Sequence, residues 1–180
     1  KGHIKLYPTY TGFVIASTQS NVILTTENDL VVDGPGAFVV RGGTASGNTS
    51  LKIKRDLLMN STNTTTATKL YLMQNINNGV ATGNKAILNL YGNLKVAEGP
   101  VILNNGNAND TEFNFMWSLV QTIDVASTTS SENHRTFFNV KPNSYVQLAN
   151  RNFELGTDSK LTVENGGTLD FGFDGVNGAG

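Results

Sequence analysis

Two histidines and one pair of carboxylates are the side chains of this sequence best suited to chemistry. His3 lies near the start of the chain, and His134 lies in the polar run Glu132-Asn133-His134-Arg135. A serine partner for His134 would have to be Ser130 or Ser131. Such a nucleophile needs a strained elbow and an oxyanion loop, and neither serine has that pattern around it. A solvated loop histidine is the plainer reading. Asp170 and Asp174 would share the outward face of one strand if it continued through Phe173. A polysaccharide-cleaving enzyme needs such a pair as acid and as base or nucleophile. Outward polar residues at alternate positions are expected of any exposed strand, so the pair has a bland explanation too. Asp170-Phe171-Gly172 spells the kinase magnesium motif, but nothing else of a kinase accompanies it.

Metal chemistry fares no better. Asp and Gly cluster in 170–175 and 104–110, which raises calcium, yet the nonapeptide GGxGxD and the EF-hand spacing are both missing. Corner turns explain these residues. The chain has no cysteine, which removes disulfide scaffolds, thiolate metal sites and cysteine nucleophiles. Threonine-rich stretches raise ice binding, but no regular Thr-x-Thr columns recur. The sequons at Asn48, Asn60, Asn63 and Asn109 are what Asn and Thr richness yields by chance. The expectation is therefore no catalytic residue, no metal ligand and no cofactor. Phe113, Phe115 and Trp117 are expected in a core. Tyr91 and Tyr145, beside Asn and Asp, are candidates to hold a sugar ring.

The elements that must position these residues are short and regular. Apolar–x–apolar triplets recur about every seven to eight residues: Phe138-Asn139-Val140, Val146-Gln147-Leu148, Phe153-Glu154-Leu155, Leu161-Thr162-Val163 and Leu169-Asp170-Phe171. Turn formers separate them, among them Lys141-Pro142-Asn143, Gly156-Thr157-Asp158 and Asn165-Gly166-Gly167. Leu88-Asn89-Leu90 with Leu94-Lys95-Val96, and Val22-Ile23-Leu24 with Leu30-Val31-Val32 and Phe38-Val39-Val40, keep a similar rhythm. A sandwich usually wants longer strands and wider turn spacing, whereas a β-solenoid builds each coil from three short strands. Three strands give a coil of about 23 to 25 residues, so the chain would make roughly seven to eight coils. No helical stripe of adequate length is present. Residues 111–125 alternate as one longer strand with a heavy aromatic face.

Residues 60–69 (NSTNTTTATK) and 126–135 (ASTTSSENHR) break the rhythm. Neither holds enough apolar surface to offset the entropy of ordering it in a core, so both are expected as loops protruding from corners. About a third of the chain is Asn, Gly or Thr, and only 15% is charged, against a usual share of about a quarter. Asn tolerates the left-handed conformation of tight corners, and its amide can stack in ladders between coils. The composition follows from architecture. A net charge of −1 favours neither nucleic acid nor an anionic membrane as partner. No apolar run reaches the ~18 residues needed to span a bilayer as a helix. The chain opens on Lys1 rather than Met, which is expected of a segment of a larger chain.

Ser159-Lys160-Leu161-Thr162-Val163-Glu164-Asn165-Gly166-Gly167-Thr168-Leu169-Asp170-Phe171 resembles the repeating coil of bacterial autotransporter passenger domains and related filamentous adhesins. Asn89-Leu90-Tyr91-Gly92-Asn93-Leu94-Lys95-Val96 looks similar. The resemblance covers about 50 residues, and its motif is specific to coil geometry rather than to activity. It implies an all-β, right-handed parallel β-helix, exported across the outer membrane and displayed on or shed from a Gram-negative cell. No GDSGS-like serine motif is present, which sets the chain apart from protease-type passengers. The porin-like strands of a translocator are expected outside this segment.

These readings converge on one expectation. Residues 1–180 form a single β-solenoid segment of a bacterial surface adhesin, extracellular and without enzymatic activity. Its partners would be a host cell-surface glycan or protein, and the neighbouring coils of the parent chain. The rivals are a carbohydrate-active β-helix, such as a lyase or phage tailspike, and a purely structural spacer.

Overall fold

A computed structural model describes residues 3–7, 13–16, 21–33, 37–41, 48–59, 69–72, 85–101, 110–128, 135–149 and 155–171. Every regular element among them is a β-strand, and every strand pair is parallel. Numbered in chain order, the first sheet stacks β1 (Ile4–Leu6), β4 (Leu30–Val32), β7 (Leu57–Met59), β10 (Leu94–Val101), β12 (Val120–Thr128), β14 (Tyr145–Leu148) and β16 (Thr168–Asp170). The second stacks β3 (Val22–Thr26), β6 (Thr49–Ile53), β9 (Ala86–Leu90), β11 (Thr111–Phe115), β13 (Thr136–Val140) and β15 (Lys160–Val163). The third holds β2 (Phe13–Ala16), β5 (Ala37–Arg41) and β8 (Lys69–Leu72). The chain visits the first, third and second sheets in rotation, which is the path of a β-solenoid.

The expected seven to eight three-stranded coils are not supported. The third sheet holds three strands among the described residues, so about three turns are closed on all three sides. From β10 onward the described strands alternate between the first and second sheets. Turn length also varies more than a fixed rhythm allows. Residues bonded across adjacent turns are 23 apart between Lys141 and Glu164, 25 between Asn114 and Asn139, and 37 between Asp56 and Asn93. The 37-residue turn is the one that contains 60–69.

Alternation within each strand fills the interior. In β6, β9 and β13 the odd-numbered or even-numbered set is buried and the other set faces outward. Register then aligns the buried set into columns: Leu51, Leu88, Phe113 and Phe138 form one, and Ile53, Leu90, Phe115 and Val140 form the next. All eight are buried, each contributing roughly 1.5–3 kcal/mol of apolar burial. The Phe113 ring lies 4.9 Å from Phe115 and 5.9 Å from Phe138. A third inner column runs Thr49, Ala86, Thr111 and Thr136, all fully buried. The first sheet closes the core with Leu30, Leu57, Leu94, Ile123 and Leu148.

The corners bear out the role given to asparagine and glycine in tight turns. Asn143, Asp158 and Gly166 all take positive φ, at 63°, 58° and 83°. Gly92 is required for a different reason. A Cβ there would lie 2.4 Å from the Arg55 carbonyl carbon and from Asp56 Oδ1, so only glycine lets the two corners stack.

Two expectations need correction. Residues 111–125 are not one strand: β11 ends at Phe115, and β12 begins at Val120 in another sheet. The alternation continued through the corner, where Leu119 is exposed and Trp117 half-buried. Of the two expected loops, Lys69 opens β8 and residues 126–128 belong to β12. Residues 60–68 and 129–134 lie outside the described residues, as do Phe153 and Glu154.

Candidate functional site

The outer surface of the second sheet carries a ladder of amides. Asn89, Asn114 and Asn139 occupy one outward column by register. Asn139 Nδ2 donates to Asn114 Oδ1 at 2.9 Å, and Asn114 Nδ2 donates to Asn89 Oδ1 at 2.9 Å. Asn89 Nδ2 in turn donates to Ser50 Oγ at 3.3 Å. Asparagine suits this position because its amide both donates and accepts, so identical residues can chain along the axis.

Side chains at two corners do the same work against the backbone. Asp29 Oδ1 accepts the Asp56 N–H, Asp56 Oδ1 accepts the Asn93 N–H, and Asn93 Oδ1 accepts the Thr122 N–H. A second series runs from Asn21 Oδ1 to the Asn48 N–H, and from Asn48 Oδ1 to the Lys85 N–H. Each link joins one turn to the next. Each also satisfies a backbone donor, just ahead of a strand at Asn48, Asp56, Lys85 and Asn93 and inside β12 at Thr122.

Charged groups follow this axial pattern. Lys85 pairs with Glu112 at 2.7 Å, Arg135 with Asp110 at 2.6 Å, and Lys141 with Glu164 at 2.5 Å. The hydrogen bond to Glu112 raises the Lys85 pKa above its usual value, against the lowering effect of desolvation. These pairs are partly exposed, so each is worth only about 0–1 kcal/mol. Their greater effect is on register, since a slip of one residue would break them together.

His3 Nδ1 lies 2.8 Å from Asp29 Oδ2, which binds the first turn to the second. Asp170 Oδ2 accepts the Tyr145 hydroxyl at 2.8 Å and the Gln147 amide at 3.4 Å. That bond raises the Tyr145 pKa, because Asp170 favours the protonated phenol. Asp110, at the end of one suspected calcium segment, is held by Arg135. Tyr91 is half-buried beneath Lys52, whose Nζ sits 5.2 Å from the ring centroid. Phe113 and Phe115 are in the core, as expected. His134, Ser130, Ser131 and Asp174 lie outside the described residues. The structure brings no two of the catalytic candidates together among the described residues. No group of three or more His, Asp or Glu suited to a metal occurs there either.

One buried polar residue escaped sequence reasoning. Gln121 is fully buried, and its Nε2 donates to the Leu90 carbonyl at 3.0 Å and the Gly92 carbonyl at 2.7 Å. Its Oε1 accepts the Trp117 N–H at 2.9 Å. It plugs the corner between the second and first sheets. The only sequence signal was a polar residue opposite the apolar Val146, and that register was not visible in advance.

Comparison with known protein families, with curated proteins and with solved structures gives no match.

Proposed function

We propose that this chain is a non-enzymatic segment of a bacterial cell-surface adhesin, a right-handed parallel β-helix exposed outside the cell. It binds a host glycan or protein through one solenoid face, or extends the parent molecule. The observation that supports this is the direction of its polar bonds. Asn89, Asn114, Asn139, Lys85, Lys141, Arg135 and Asp170 all bond to a neighbouring turn. A chain whose outward polar groups are engaged along its axis is built to be long, stable and repetitive. Right-handedness follows from the strong preference of parallel crossovers.

The test is a glycan-array screen of the purified chain, run beside an assay for reducing ends released from the same polysaccharides. Retention of particular glycans without release supports the adhesin, and silence in both assays supports the extending role. Release of product from any polysaccharide would overturn the reading in favour of a carbohydrate-active β-helix.

A further inference from the structure

Two inner columns end on exposed apolar residues at one end of the stack. In the column Ile4, Leu30, Leu57, Leu94, Ile123 and Leu148, every member after the first is buried. Phe171 follows Asp170, which pairs with Gln147, so it takes the next place beyond Leu148 and is 61% exposed. The column Thr26, Ile53, Leu90, Phe115 and Val140 runs on to Val163, which is 45% exposed, whereas Thr26 at its other end is 2% exposed. The end at β15 and β16 is therefore the less covered of the two. It also presents strand edges whose other side already carries β13 and β14.

We propose that this end is an acceptor for one further parallel turn, contributed by an extended segment with two apolar–x–apolar strands. This deepens the reading of the chain as part of a longer solenoid and rests on it for the origin of the incoming segment. Continuity with the existing ladder sets the chemistry. Apolar residues cover Leu161, Val163, Leu169 and Phe171. A base sits over Glu164, as Lys141 does on its other side. Asp170 ends the outward column that runs through Asp56, Asn93, Thr122 and Gln147, just before the inward column. A second copy stacked head to tail does not fit. With its β1 set on β16, its first strand for the second sheet, β3, arrives after β1, whereas the strand over β15 must precede the one over β16.

A labelled peptide of residues 135–149 is the natural probe. Its β13 and β14 sequences already match β15 and β16 residue for residue, with four residues between strands in both. The full chain is titrated into this peptide by fluorescence anisotropy, with Val163→Lys, Phe171→Lys and Ile4→Lys variants alongside. The chain binds saturably, Val163→Lys and Phe171→Lys weaken binding at least about tenfold, and Ile4→Lys leaves it unchanged. All three positions are partly exposed, and circular dichroism confirms that each variant folds. Absence of saturable binding, or equal loss in all three variants, overturns the proposal. So does a wild-type dimer in sedimentation velocity that Phe171→Lys dissolves, because the end would then be a self-interface. Peptide capture by a chain that fails the glycan screen would leave this acceptor standing and the glycan-binding role without support.

Discussion

Asn114 donates its side-chain amide to Asn89, one turn earlier, and accepts the amide of Asn139, one turn later. It lies at the middle of a three-rung ladder and is 5% exposed, so neither bond is readily replaced by water. This makes Asn114 the point where composition becomes structure. An outward asparagine, disfavoured in an isolated strand, becomes a link once its neighbours in register are also asparagine.

Asn114→Asp removes the donor to Asn89 Oδ1 and sets two oxygens against each other. Loss of that bond and the added repulsion cost about 2 kcal/mol, read as a lower midpoint in urea unfolding. Asn139→Asp at the ladder's end is expected to cost less, since Asn139 is only half-buried. Equal effects would argue that the ladder is incidental.

Gly92 and Gly166 separate two uses of glycine. At Gly92 an added Cβ meets backbone at 2.4 Å, so Gly92→Ala costs about 3 kcal/mol or more. At Gly166 the nearest atom is 3.9 Å away and only the positive φ opposes a side chain, so Gly166→Ala costs about 1–2 kcal/mol. Thermal unfolding of the two variants ranks them. The reverse order would contradict the stacked-corner geometry.

Gln121 satisfies three backbone groups from a fully buried position. Gln121→Leu keeps the bulk but leaves two carbonyls and one N–H without that partner, at a cost of roughly 2–4 kcal/mol. Leu119→Ala, at a 61% exposed position in the same corner, should be near neutral. Denaturation midpoints of the pair check both values.

Tyr145 has a raised pKa because its hydroxyl donates to Asp170. A group held protonated in this way stabilises the fold fully below its unfolded pKa near 10. That contribution is lost as pH rises through the higher folded pKa. Lys85 behaves alike, since Glu112 favours its charged form. In an absorbance titration of tyrosinate, Asp170→Asn should return one tyrosine to an earlier ionisation. An unchanged titration curve would show that the bond does not hold in solution.

Much of the fold was legible because the signals were local. Leu88-Asn89-Leu90, Phe138-Asn139-Val140 and Leu161-Thr162-Val163 each lie in a strand of the second sheet, and their alternation depends on the pleat alone. Turn chemistry at Asn143 and Gly166 was equally local. What failed was long-range. The alternation from Phe113 to Leu119 looked continuous because sequence periodicity does not register a change of sheet, and the break depends on Gln121 bonding to the preceding turn. The coil count failed similarly, because turns of 23 and 37 residues can carry the same strands. The polar candidates were visible as types but not as pairs. Nothing local shows that Asp110 faces Arg135, or that Asp170 faces Tyr145.

The central claim is that successive turns stack in the stated parallel register, and engineered disulfides test it most directly because the chain has no cysteine of its own. Leu58 pairs with Lys95, and Ser50 with Ile87. Paired residues on adjacent strands lie about 4.8 Å apart, within disulfide reach. Leu58→Cys with Lys95→Cys, and Ser50→Cys with Ile87→Cys, should each oxidise readily in the folded protein. Leu58→Cys with Asp124→Cys spans two turns in the same column, about 10 Å, and should stay reduced. If the adjacent-turn pairs stay reduced while the two-turn pair closes, the stacked solenoid is wrong.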